Sequence, residues 1–536
     1  MKGVFFLFKY LKKYLLLIIF FILFSFILSL FYIAIPLITG TFIDDILRQP
    51  EKESIMEVVF LLGIIAVLQI IISYLSSIMS AKLITSVSYD LEVDIFAHLQ
   101  ECSLKTVKKT DSSYTTQRII SDSNSIISLT VSLCSGLLSN LIIFISCCMF
   151  FFINAPIIVL VIFILFVIYF LIIKLLKQHI QKTKTEVKEK NAKYYKSAQE
   201  QISNLLFIKV YNINSYFRHK FELAYKELYK SKIKETEINY IYLSSSMIIK
   251  LIIQITLFIY CGSKIIDNKM TIGTFTILSS YLVILIDSIK YYINVSQQLV
   301  ESNIAFDRIN YYLMMPAEEQ GDGFIPSINK ICVNDLSFGY EKTKIIKNFS
   351  AIFEKGKIYQ IMGDNGKGKT TLLALIMGLY LHDYDGEILY NSVDIKYLNM
   401  SKIREKCIGI VLQNGFILEE SFDDNIFINK CKNVIELQSI VETFSLDEIK
   451  KRNMEKDSIL RHEILSGGEI KKINIVRALL SKGTSILILD EPTVHLDAKS
   501  KQFLLKEIDK RKEDKITIII SHDEVFKKII DYKIIL

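Results

Sequence analysis

The sequence predicts two parts in series: an α-helical membrane domain of six transmembrane helices with long cytoplasmic extensions, then an α/β domain built around a phosphate-binding loop. Three observations carry this. Uncharged apolar runs of membrane-spanning length recur between Tyr14 and Val300. The stretches that join alternate runs are long and rich in lysine. From about Ile331 the pattern changes to strand-like and helical segments separated by turn glycines.

Bulk composition agrees. The chain has 536 residues, 51% of them hydrophobic, with mean hydropathy +0.36. That is apolar for its length, and the length suggests more than one domain. The net charge of +8 is small and gathers beside the apolar runs, so it reads as a topological signal, with no nucleic-acid partner expected. Eight cysteines occur without a CxxC or a histidine pairing and read as reduced small hydrophobes.

Along the chain, Lys2, Lys9, Lys12 and Lys13 precede Tyr14–Ile43, whose 30 uncharged residues exceed the roughly 7–15 of a secretory apolar region. This is a retained first span. Val58–Ala81 is the second. Ser123–Ile173 runs 51 residues without a charge, too long for one crossing. Asn154-Ala155-Pro156 supplies turn chemistry there, which makes it a hairpin of two spans. Ile238–Ser263, interrupted by Lys250, is the fifth, and Met270–Val300, interrupted by Asp287 and Lys290, is the sixth. Backbone groups in lipid must pair within their own segment, so the spans are helices. The basic connections are the N-terminal cluster, Lys82–Arg118 and Lys174–Lys234, whereas the alternate ones are short. This puts both termini on the cytoplasmic side of a plasma membrane.

Pro316, Gly321, Gly323 and Pro326 mark a linker over residues 311–328, between a membrane domain at 1–310 and a nucleotide-binding domain at 329–536. In the latter, strand-like Lys357–Met362 leads into Gly363-Asp364-Asn365-Gly366-Lys367-Gly368-Lys369-Thr370, and helical Thr371–Leu379 comes next. In such a setting glycine N–H groups cradle phosphates, the lysine balances β/γ charge and the threonine ligates Mg²⁺. Lys367 reads either as a surface residue or as an added phosphate contact. Asp490 ends the strand-like run Ile486–Leu489, where a buried carboxylate is costly unless paired; a Mg²⁺ contact would satisfy it. Glu491 then faces the γ-phosphate side as general base or water positioner. Leu465-Ser466-Gly467-Gly468-Glu469 offers a second nest of backbone amides and a serine hydroxyl.

Phosphate loop, LSGGE pentapeptide and Asp-Glu pair, in this order and spacing, resemble the ATP-binding cassette (ABC) superfamily. With the six spans, the chain resembles an exporter-type (type IV) ABC half-transporter. The resemblance extends to the segment Tyr114–Asp122, which holds an R-x3-D pattern, to Glu200–Tyr216 near the two coupling helices, to Thr271-Ile272-Gly273, and to Ala305–Ile309. It implies several roles. Tyr340 would stack on adenine, or else be an ordinary strand-end tyrosine. Thr371 continues the phosphate site. Gln413 would contact Mg²⁺ and the attacking water, Asp497 would lie in a dimer-contact loop, and His522 would bond the γ-phosphate. Arg477 reads as structural. The LSGGE loop would serve the ATP held by a second cassette, so a dimer of this chain, or of this chain with a paralogous half, is implied. A TEVGE-like acidic element is not visible in Asp457–Ile464, and the chain ends at Leu536, short of the family's usual tail.

The expected activity is ATP hydrolysis driving export of a peptide or other amphipathic cargo by alternating access. An importer, a lipid flippase and a nucleotide-gated channel share the fold. A soluble ABC protein is excluded by the spans. No peptidase domain precedes the first span, so a peptide cargo would not be trimmed by this chain. Lys250 and Gln254 share a helical face mid-span, which marks a cavity or pathway. Asp287 and Lys290 either pair with each other or face that cavity. Tyr291 and Tyr292 either line it or form an interfacial belt.

Overall fold

The computed structural model describes residues 2–48, 52–107, 112–340, 343–364, 366–428, 440–447, 449, 459–461, 463–480 and 483–536. Asn365 and Cys431 lie outside the described residues, as does part of Asp457–Ile464. The chain divides into two compact units. One is Met1–Asp94 with Thr116–Tyr311, and the other is Ile95–Thr115 with Tyr312–Leu536.

The first unit is helical. Its elements are α1 (Lys2–Leu11), α2 (Leu15–Arg48), α3 (Lys52–Glu101), α5 (Ser112–Asn154), α6 (Pro156–Ser203), α7 (Leu205–Tyr211), α8 (Asn214–Ile266) and α9 (Ile272–Leu313); the short α4 (Leu104–Val107) belongs to the second. Among the described residues six helices are long and apolar enough to cross a membrane. The shortest, at 40 residues, would run about 60 Å, twice the roughly 30 Å of a hydrocarbon core. The surplus length is where the lysine-rich stretches fall. Ala155 breaks the 51-residue apolar run, and Pro156 starts α6, where its missing N–H costs nothing.

Polar contacts fix these helices where lipid could not. Tyr10 and Tyr14 donate to Asp94 and Asp90 of α3 at 2.8 and 2.9 Å, joined by Lys9 and Lys13. Pro36 interrupts the α2 ladder, and beside it the Tyr281 hydroxyl donates to Ile33 O at 2.7 Å. Asp44 accepts from Gly273 N–H at 2.7 Å and Thr271 Oγ1 at 2.6 Å, capping the start of α9. A Cβ at position 273 would lie 2.0 Å from Gly40 O, so glycine there permits the close crossing of α2 and α9. Asp122, the acidic end of the R-x3-D pattern, is buried between Arg118 at 3.7 Å and Arg308 at 3.6 Å, linking α5 to α9. Tyr291 and Tyr292 donate to the α5 carbonyls of Ser132 and Leu137 at 2.8 and 2.9 Å. Their rings therefore serve helix packing.

Among the described residues the second unit holds two sheets. The antiparallel one has the order β2 (Thr343–Glu354), β1 (Lys330–Tyr340), β4 (Asp385–Tyr390), β5 (Val393–Asp394). The parallel one has the order β6 (Ile408–Val411), β7 (Ile486–Asp490), β8 (Ile516–Ile520), β3 (Ile358–Met362), β9 (Tyr532–Ile535). β7 and β8 are buried along their whole length, which explains their isoleucine-rich sequences: a parallel strand has core on both faces. Around the sheets lie α10 (Lys369–Ile376), α11 (Met400–Cys407), α12 (Phe422–Phe427), α13 (Gly467–Leu479) and α14 (Ala498–Lys510).

The end of α3 and the short α4 pack within this unit. Glu318 N–H donates to Glu101 O at 2.7 Å, Leu104 joins the hydrophobic core, and Lys105 pairs with Asp383. Helix α3 runs unbroken to Glu101 across the division between the units at Asp94, so no break in the chain marks it. Helix α9 continues to Leu313, into the first residues expected as linker.

Candidate functional site

The parallel register builds the site. Asp490 pairs with Ile520, Ile361 pairs with Ile520, and Val411 pairs with Leu489, so β3, β6, β7 and β8 end at one edge of the sheet. Ligands of open α/β sheets bind at such carboxyl ends. The residues singled out by sequence stand just past these strand ends: Gly363–Gly368 after β3, Gln413 after β6, Glu491 after β7 and His522 after β8.

Gly368 has φ of +94°, and a Cβ on it would stand 2.5 Å from Ile345 Cγ2. Glycine is required here to let the loop turn into α10 against β2. The Lys369 ammonium lies inside the loop and donates to Gly363 O at 2.6 Å and Asp364 O at 3.3 Å. It also approaches His522 Nε2 at 3.4 Å, a contact in which the imidazole nitrogen must accept, since an ammonium only donates. Glu491 Oε1 is 4.0 Å from the same nitrogen. Thr370 Oγ1 donates to Asp490 Oδ2 at 2.9 Å. Gly366 and Lys367 complete the loop, and Thr371 continues α10.

Burial raises the Asp490 carboxyl above the usual carboxylate range, opposed by the Thr370 hydroxyl, Lys471 and Lys369. Burial likewise raises Glu491, opposed first by His522. Glu491 has φ of +47°, a strained conformation for a residue with a side chain, and its N–H is held by Ile520 O at 2.8 Å. These residues fit a polyphosphate and a hard divalent cation. The loop holds an inward-facing ammonium, and beside it a hydroxyl oxygen and a partly uncompensated carboxylate stand together, the donor chemistry Mg²⁺ prefers.

Tyr340 ends β1, paired with Thr343 at the start of β2, the strand that packs on Gly368. Its ring is 37% exposed, and its hydroxyl donates to Tyr380 at 3.3 Å, with the two rings edge to face. The Gln413 side chain is exposed, while its carbonyl accepts from Lys471 at 3.2 Å.

Leu465 packs on the core, and Ser466 caps α13. The Ser466 N–H and Oγ both donate to Glu469 Oε2, at 2.8 and 2.9 Å, and Glu469 N–H returns a bond to Ser466 Oγ. The spacing S-x-x-E is a capping-box signal that the sequence already contained. Gly467 and Gly468 admit the turn at His495, whose carbonyl a Cβ at Gly468 would meet at 2.7 Å. Asp497 caps α14 through Ser500 N–H at 2.8 Å and pairs with Lys472 at 2.8 Å, which holds its carboxyl far below the usual range. Arg477 donates to the Asn425 and Phe416 carbonyls at 2.7 and 3.1 Å.

Sequence reasoning missed Lys471. It is 4% exposed, and its ammonium donates to Leu412 O, Gln413 O and Asp490 O at 3.0, 3.2 and 3.3 Å. Burial lowers its pKa, opposed by Asp490 and Glu491.

In the membrane unit, Lys250 and Lys290 line one cavity with Phe166, Tyr169, Ser246 and Ile253. Lys290 also pairs with Asp287 at 3.5 Å, so both readings of that residue hold at once.

Comparison with known proteins agrees with this geometry. The family of the ABC transporter transmembrane region matches residues 18–289, and the ABC transporter family matches residues 346–494. An ATP-dependent lipid A-core flippase of Syntrophus aciditrophicus is 24% identical, over 90% of this chain and 81% of its own. The lactococcin-G-processing and transport ATP-binding protein LagD of Lactococcus lactis is 25% identical, over 68% of this chain and 53% of its own. A solved bacterial Atm1-family ABC exporter with ATP bound shares the fold at TM-score 0.81 and 18% identity, covering 98% of this chain and 93% of that one. With a helical transmembrane region and an ATP-binding domain in one polypeptide, the chain belongs to the ABC transporter family and is an ATPase coupled to transport across a membrane.

Proposed function

We propose that the protein is a dimeric exporter of a peptide or other amphipathic cargo bearing an anionic group. The observation that carries this is the cavity among the apolar helices: Lys250 of α8 and Lys290 of α9 face a wall of Phe166, Ile253 and their neighbours. An ionisable side chain among apolar spans is costly and marks a pathway by default. Such a cavity suits a ligand with an apolar body and a negative group.

For hydrolysis, Lys369 neutralises charge on the β and γ phosphates and Tyr340 offers an exposed ring to the adenine. Thr370 and Asp490 would hold Mg²⁺, with Gln413 at the end of the neighbouring strand. Bound there, Mg²⁺ would supply charge neutralisation on the phosphates. Glu491 orients water and receives its proton, and His522 holds the γ-phosphate side of the loop. Ser466 and Gly468 serve the nucleotide of a second chain. What supports a phosphate-binding role is the place of Ser466 at the N-terminus of α13, which it caps through Glu469.

Transport in vesicles of defined orientation tests the direction and the cargo class. Export predicts ATP-dependent, saturable accumulation of a water-soluble anionic peptide in inverted vesicles. Accumulation in right-side-out vesicles instead would make the protein an importer. Movement of lipid alone between leaflets would make it a flippase.

A further inference from the structure

Lys471 is a buried charge for which these hydrolytic roles have no use. It lies on α13, the helix that begins at the signature loop, among the buried residues Ile470, Ile473 and Asn474. An ammonium has three N–H donors. Here they meet three carbonyls: Leu412 and Gln413, just past β6, and Asp490, the last residue of β7. All three acceptors sit at the carboxyl edge where the site is built. The same helix grips the segment after Gln413 at a second point. Phe416 N–H donates to Asn474 Oδ1 at 3.4 Å, and a Cβ at Gly415 would lie 2.6 Å from Asn474 Nδ2.

Isolated burial of an ammonium is strongly unfavourable, so a lysine persists in such a place only with full hydrogen bonding or a neighbouring negative charge. Lys471 has both. Its direct bonds go to carbonyls, and the carboxyl groups of Asp490 and Glu491 stand nearby. The other titratable groups around Glu491 are Asp490 beside it, Lys369 from α10 and His522 after β8.

We propose that Lys471 is a positioning residue for ATP hydrolysis, joining helix α13 to the strand ends that carry Gln413 and Glu491. The inference rests on the reading of Glu491 as the water-orienting base. Because one helix carries both the signature loop and Lys471, displacement of that loop shifts the three carbonyls with it.

The test is steady-state ATPase of the full-length protein in lipid nanodiscs, as Lys471→Met, Lys471→Gln, Lys471→Arg and Glu491→Gln. In Lys471→Met and Lys471→Gln, kcat should fall about 30-fold while KM for ATP stays within about twofold. Lys471→Arg, which keeps a charged donor for the three carbonyls, should recover much of the lost kcat. A Lys471→Gln kcat within about twofold of the parent, or a fall in kcat matched by a comparable rise in KM for ATP, would overturn the proposal. Glu491→Gln separates the two ideas. If it leaves kcat intact, the reading of Glu491 fails; if it abolishes turnover while Lys471→Gln does not, only the role of Lys471 fails.

Discussion

The carboxyl edge of the parallel sheet and the cavity among the apolar helices both gather ionisable side chains, and they do so in opposite ways. At the sheet edge opposite charges stand within a few ångströms: Lys369, Asp490, Glu491, His522 and Lys471 are each held by named partners. In the cavity two lysines share an apolar enclosure, and Asp287 pairs with one of them. The first arrangement is fixed by chemistry that any ATP requires. The second is a bias toward negative charge whose detail depends on the cargo. A site whose ligand never varies leaves a strict local order of residues. A site tuned to one cargo leaves scattered side chains that only the fold brings together.

That contrast can be broken at several points. The largest effect should come from Glu491→Gln: hydrolysis should fall on the order of 10²- to 10⁴-fold, with nucleotide binding retained, as measured by single-turnover kinetics. A smaller residue of activity should return on mixing Ser466→Arg chains with Glu491→Gln chains. Each variant alone should be inactive, whereas a mixed dimer holds one site with neither defect, giving roughly a quarter of parental turnover under random pairing. No recovery would mean that the signature loop acts on its own chain's nucleotide or that one intact site does not suffice.

The pH profile sharpens the sheet-edge side. Burial raises Glu491, and a base must be ionised to work. Activity should therefore fall, as pH decreases, at a pH above the ordinary glutamate range. An acid limb at or below that range would contradict a buried, raised Glu491. The smallest effect belongs to the cavity. Lys250→Met should weaken half-saturation by an anionic cargo by about 3- to 10-fold in stimulated-ATPase assays, and by less for a neutral analogue. Equal changes for the two cargoes would remove Lys250 from cargo recognition.

The legible part of this molecule is the part written locally. Gly363–Thr370 and Asp490-Glu491 carry their meaning in adjacent residues, because a strand end, a glycine turn and a helix start must succeed one another in the chain. The spans are readable because lipid permits few structures. Lys471 is hidden by its neighbours. Lys471 and Lys472 look alike in the sequence, yet Lys472 reaches Asp497 while Lys471 turns inward to carbonyls at the ends of two strands. Tyr291 and Tyr292 are ambiguous for a similar reason: their acceptors, Ser132 and Leu137, lie on a helix about 155 residues away.

The backbone at Glu491 has a further consequence. A left-handed conformation in a residue with a side chain costs on the order of 1 kcal/mol, which glycine avoids. Glu491→Gly should thus give a protein that is catalytically dead yet resists heat at least as well as its parent. Such a result would mean that natural upkeep of this position works against durability, a sign of purpose readable from one torsion angle.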